Sequence, residues 1–200
     1  MKQVYNLHQT NDAILEILRF NEKRLTAQFV TSMNQPNALK VLNNTSILRK
    51  EVEVGAGAIP LVDSNTRKVI GVSDFNENRL ANDEVLIVEK IRVGYDVNAA
   101  SGKETELTYQ KTMPASFRNS ILRLRQAGIV IGEFPMSDIQ NKYTGNSMKD
   151  DYLELKHPLV LVGGAEFDFE IVFPSGATQA TDKEYFELAF DGHKIIRSSK

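Results

Sequence analysis

Ile121-Leu122-Arg123-Leu124-Arg125 runs into Gln126-Ala127-Gly128 and continues as Ile129–Phe134. Two alternating runs flank a short turn, and Gly128 can supply a positive φ. The stretch therefore predicts an antiparallel hairpin. The chain continues in the same manner on both sides. Upstream, Glu84–Val97 is the longest strand, with Val85, Ile87, Ile91, Val93 and Tyr95 prominent. Leu86 and Val88 beside Val85 and Ile87 point to burial on both faces or to a bulge. Ile47–Val54 and Glu104–Lys111 alternate as strands do. Ile59–Val62 and Lys68–Val72 flank the turn-rich Asp63-Ser64-Asn65-Thr66 and predict a second hairpin. Downstream, Tyr152–Lys156, Leu159–Val162, Glu166–Phe173 and Tyr185–Phe190 predict four more strands. Pro158, Gly163-Gly164 and Pro174-Ser175-Gly176 separate them. Asp191-Gly192 predicts a two-residue turn into Lys194–Arg197.

Only the beginning departs from this pattern. Thr10, Asn11 or Asp12 can cap a helix in which Ile14, Leu18, Leu25 and Phe29 share one stripe, widened by Leu15 and Ile17. Asn34-Gln35-Pro36-Asn37 ends it, and a further helical turn over Ala38–Leu42 is compatible with the residues. About ten short strands after one helix predict a mainly β chain. The expected architecture is an antiparallel β-sandwich, a single jelly roll, over residues 46–200, preceded by an amphipathic helical arm over residues 1–45. A doubly wound α/β fold would need helices between the strands, and none fits.

Composition narrows the function. The chain has 200 residues, 42% hydrophobic and 25% charged, and a net charge of −2, which excludes a simple polycation that coats nucleic acid. Charge is uneven: residues 1–50 carry +4 and the remainder −6. A basic N-terminal end can meet nucleic acid or an acidic partner. The absence of Cys excludes disulfides, a thiol nucleophile and Cys-bound zinc. No segment is long and apolar enough to span a membrane, and the first residues lack a signal core, so a cytoplasmic origin is expected. Asn43-Asn44-Thr45-Ser46 reads as a polar loop.

Chemistry-bearing clusters are sparse. His8, His157 and His193 are far apart, and the His-x-His strand of a cupin-type metal site is missing. Gly55-Ala56-Gly57-Ala58 lacks the third glycine and the following helix of a dinucleotide site. Glu166, Asp168 and Glu170 share one face of a strand with Phe167 and Phe169 on the other. The favoured reading is a solvated outer face over an aromatic core, and Ca²⁺ is the alternative. Arg123 and Arg125 share a strand face and suit structural ion pairs. No catalytic, cofactor or metal residue is expected, and an enzyme is not the reading. Asn141–Lys149 reads as an exposed loop. Phe186, Leu188 and Phe190 form one row and Tyr185 and Ala189 another, so this strand is covered on both sides.

One set of features resembles a known group. It comprises the loop Gly71-Val72-Ser73-Asp74-Phe75-Asn76-Glu77-Asn78-Arg79-Leu80 before the long strand, the Ile121–Phe134 hairpin, Leu155-Lys156-His157-Pro158-Leu159-Val160, and Phe167–Pro174 with Tyr185–Gly192. Together they resemble the jelly-roll coat and minor capsid proteins of bacterial viruses. The length provides one barrel rather than two. The resemblance implies a virion structural protein, a capsid or auxiliary, penton-like subunit assembled in the host cytoplasm. It implies self-association and contact with other virion proteins. Expected interface residues are Ile14, Leu18, Leu25 and Phe29 of the helix and Tyr185 and Phe186 of the doubly apolar strand. The basic N-terminal segment is expected to touch packaged nucleic acid weakly. The alternative is a carbohydrate-binding β-sandwich module, although Trp is absent and the Tyr residues are scattered.

Overall fold

A computed structural model describes residues 7–140 and 151–198. The chain opens with helices α1 (Leu7–Phe20) and α2 (Ala27–Met33), joined through a 3₁₀ turn at Glu22–Arg24. The single helix expected from Thr10 to Met33 is therefore broken. Asn21 closes α1 with its side chain, which donates to the Ile17 carbonyl at 2.9 Å. Thr26 then begins α2 by accepting from the Phe29 N–H at 3.3 Å.

Among the described residues eight strands follow: β1 (Leu39–Val52), β2 (Gly57–Pro60), β3 (Glu84–Asn98), β4 (Ile121–Gln126), β5 (Ile129–Pro135), β6 (Leu153–Val162), β7 (Phe167–Phe173) and β8 (Lys183–Arg197). Short helices α3 (Ala115–Arg118) and α4 (Met136–Ile139) flank the β4–β5 hairpin. The strands form two antiparallel sheets, ordered β1-β8-β3-β6 and β2-β7-β4-β5. A shared core fills the space between them. β7 shows how the pattern builds it: Phe167, Phe169, Ile171 and Phe173 point in, while Asp168 and Glu170 point out. Phe75, from the long loop after β2, meets Phe167, Phe169 and Phe190 edge-on at 5.6–6.3 Å. The β4–β5 hairpin forms where expected, with Ala127 and Gly128 both at positive φ.

Several expected boundaries are corrected by long-range pairing. Ala38–Leu42 is not helical, because Leu39 starts β1 opposite Arg197 of β8. Asn43–Ser46 lies inside β1 rather than in a loop, and β1 crosses the arm boundary expected at residues 45 and 46. Ile59–Val62 and Lys68–Val72 make no hairpin, since β2 pairs with β7 instead. Glu104–Lys111 is not a strand, because the Asp96 carboxylate collects the N–H groups of Thr108 and Tyr109, each at 3.1 Å. Pro158 does not divide β6; it sits where the β3–β6 register shifts, a place that tolerates a residue without an N–H. Asp191-Gly192 is not a turn either. β8 continues straight through it, opposite a bulge in β3 between Val88 and Lys90. A Cβ at Gly192 would lie 2.2 Å from the Ile87 carbonyl oxygen, so this position needs glycine for close approach.

Candidate functional site

The expected interface residues are buried within the chain itself. Ile14, Leu18 and Phe29 pack on Val85, Ile87, Val160, Val162 and Ile195, the outer face of one half of the β1-β8-β3-β6 sheet. Leu25 lies half-buried beside them. Phe186 points into the shared core, and Tyr185 is buried on the opposite side of β8, its hydroxyl donating to the Ala100 carbonyl at 2.7 Å. The stripe thus finds its partner in its own sheet. Arg24 fastens the helices to both sheets: one Nη2 donates to Gln126 Oε1 at 2.8 Å and to the Val160 carbonyl at 2.9 Å. Gln126, buried, completes the link by exchanging bonds with the Val162 backbone at 2.9 and 3.0 Å.

The other half of the same outer face is charged and equally covered. Glu187, 1% exposed, accepts from Arg49 Nε at 2.7 Å and from Arg92 Nη2. Arg49 also donates to the Gly71 carbonyl at 2.9 Å, and its guanidinium lies 4.8 Å from the Tyr109 ring centroid. Tyr109 is fully buried at φ 58°, a strained backbone state for a bulky side chain. It fits only because residue 94 is glycine; a Cβ there would stand 2.8 Å from the Tyr109 Cβ and carbonyl oxygen. Asp96 holds the same loop. Burial pushes its carboxyl up, but the Lys111 ammonium and the N–H groups of Val97, Tyr109 and Thr108 outweigh that and leave it below the ordinary carboxylate value. On the core side of the same sheet the Tyr95 hydroxyl donates to Glu184 at 2.7 Å, and burial with that carboxylate pushes the phenol up. These charges are engaged with one another. Chemically, the arrangement pins loops 70–73 and 99–113 to the sheet.

The outer face of the second sheet is solvated and laddered. Arg123 bridges Glu133 and Glu170, and Arg125 reaches Glu170 at 3.6 Å, as the shared strand face predicts. Glu166 pairs with Arg79. Glu166, Asp168 and Glu170 therefore do not converge on a cation, and among the described residues no three His, Cys, Asp or Glu side chains gather as metal ligands. His157 is exposed, and His193 Nε2 stands 3.5 Å from Glu89. His8 and the loop expected at Asn141–Lys149 lie outside the residues whose side chains are described.

A cleft among the described residues could admit a ligand. Residues 74–77 and 79–82 of the loop before β3 face one end of the β1-β8-β3-β6 sheet. Between them lies a cleft of about 540 Å³. Its floor is Asn44 and Ser46 of β1, Glu84 and Leu86 of β3 and Lys194 of β8. Both ends of that loop segment are fixed by backbone. The Asp74 N–H donates to the Ile47 carbonyl at 2.9 Å, and Leu80 accepts from the Gly164 N–H at 3.0 Å. No sequence signal marked this cleft, because its floor and loop meet only through pairings between distant strands. No family model matches the chain, and no curated protein matches it. No helix among the described residues is long and apolar enough to cross a membrane.

Proposed function

We propose that the chain is a structural subunit of a virion, a single jelly roll that assembles with copies of itself and with other virion proteins in the host cytoplasm. The observation that carries this reading is the strand order. β1 pairs with β8, β2 with β7, β3 with β6 and β4 with β5, all antiparallel. That nesting is what one long hairpin of eight strands produces. Rolling it up brings β3 beside β8 and β4 beside β7, the two further pairings present. The described residues also supply what a shell needs mechanically. A continuous core is covered by helices on one outer half-face and by a clamped loop on the other. The polar side of the helical region carries exposed Arg19 and Lys23 beside exposed Asp12, Glu16 and Glu22, so its contact with packaged nucleic acid is weak.

The test is the native mass of the full chain by light scattering after size exclusion, at micromolar concentration and moderate salt. A discrete ring or closed oligomer is the expected result. A monomer that stays monomeric when mixed with its virion partners overturns the reading.

A further inference from the structure

We infer that the cleft between the β1-β8-β3-β6 sheet and loop 74–82 is a binding site for a neutral saccharide. Its size falls within the range of small-molecule sites. Its shape is set in advance, since the loop is pinned at Asp74 and at Leu80 by backbone hydrogen bonds. Binding there need not order a loop, which spares the ligand an entropic cost.

The lining selects the ligand class. Three cations and three carboxylates border the cleft, so it carries no net charge. Two of the three cations are engaged: Lys194 meets Glu84 at 2.7 Å and Arg79 meets Glu166, while Lys68 stands exposed at the edge of the cleft. At Lys194 and Arg79 an anionic ligand would have to break such a pair, and at Glu84 a cationic one would. What remains is the hydrogen-bonding capacity of the Asn76 and Asn82 carboxamides, together with the groups that Asn44 and Ser46 keep after Asn44 Nδ2 donates to Ser46 Oγ at 2.6 Å. A carboxamide offers a donor and an acceptor side by side, the pattern that vicinal sugar hydroxyls match. Apolar contact is supplied by the half-buried Leu80, which suits the C–H face of a pyranose, and Leu86, 3% exposed, closes the floor beneath. Gly164 sharpens the wall. It lies at φ 77°, and a Cβ there would stand 2.3 Å from Asn82 Oδ1, so the glycine lets that carboxamide seat where it does.

The test is amide NMR of the full chain titrated with maltose, cellobiose, lactose and N,N′-diacetylchitobiose, with glucose 6-phosphate as the charged control. At least one neutral sugar is expected to bind with a Kd on the order of 1 mM, shifting Ser46, Asn76, Asn82 and Lys194. Ser46→Phe, which fills the floor, is expected to weaken that binding tenfold or more. Asn82→Ala does the same by subtraction and serves if the larger side chain disturbs folding. The inference is overturned if no neutral sugar moves the cleft amides, if the folded variants bind as well as the parent, or if glucose 6-phosphate binds best. It stands apart from the shell reading, which native mass alone decides.

Discussion

Replacing Glu187 with Gln should damage this protein more than any other change of a single polar atom. Glu187 is 1% exposed and is the anion shared by Arg49 and Arg92, whose side chains are 23% and 8% exposed. A guanidinium does not shed its proton, so the variant leaves two cations facing a neutral amide. Arg92 has the least recourse, since its Nε and Nη1 are buried without a hydrogen-bond partner already. Removing one member of a buried pair costs about 3–5 kcal/mol. Gln keeps one acceptor, which places the expected loss near the lower figure. For a chain of this size, about 3 kcal/mol corresponds to a fall in Tm of roughly 6–12 °C. The assay is urea and thermal unfolding followed by far-ultraviolet circular dichroism, since the chain has no Trp. The triple variant Arg49→Met, Glu187→Leu, Arg92→Met removes all three charges together. It should recover most of the loss, because desolvation of the ions is removed along with their attraction. A Glu187→Gln protein with an unchanged Tm would refute the reasoning. So would a triple variant as unstable as the single one, since the cost would then be lost packing rather than uncompensated charge.

Three further outcomes are expected. Asp96 has a depressed carboxyl, so its contribution is fully present above the unfolded carboxylate value of about 3.9 and is lost as pH falls through its lower folded value. The stability gap between the parent and Asp96→Asn should therefore be wide near neutral pH and close in acid; a gap independent of pH in chemical denaturation would count against this. Leu18→Ala opens the contact between α1 and Val85, Ile87 and Ile195, and should cost about 2–5 kcal/mol in the same denaturation assay. Gly192→Ala drives a Cβ into the Ile87 carbonyl at the β3 bulge and should cost about 1–3 kcal/mol; a neutral result would mean the two strands part easily there.

Period-two alternation was legible wherever one face is buried and the other wet. β7 and the β4–β5 hairpin are examples: the inward Phe row and outward carboxylates follow directly from spacing. Reading failed where a local signal competed with a distant partner. Asp191-Gly192 has the chemistry of a turn, yet β8 runs through it because β1 and β3 pair with it on both sides. Glu104–Lys111 alternates as a strand, yet Asp96 takes the N–H groups that a ladder would use. The helical stripe was legible as apolar, but a stripe does not say what it covers. Its buried partners are Val85, Ile87, Val160, Val162 and Ile195 of β3, β6 and β8, which lie 56 residues or more beyond Phe29. The cleft was illegible for a related reason: Asn44, Asn82 and Lys194 carry no motif and converge only after the strands are ordered.

This placement of the helices also changes where neighbours would attach in an assembled shell. Both halves of the outer face of the first sheet are occupied, one by α1 and α2 and the other by the loop held over Arg49 and Glu187. The outer face of the second sheet is uncovered by the described residues, and it displays Arg123, Arg125, Glu133 and Glu170. Apolar side chains that reach solvent are scattered over different elements, chiefly Phe20 at the end of α1, Ile70 in a tight loop turn and Ile129 at the β4–β5 turn. Self-association on such a surface would draw on exposed ion pairs, each worth little and screened by salt, with a few apolar knobs among them. It would therefore be weak per contact and gain strength from the number of contacts in a closed ring. On the shell reading, the oligomer should dissociate as ionic strength rises while the subunit's own Tm stays nearly constant, because the subunit's core and buried triad are screened far less than its rim.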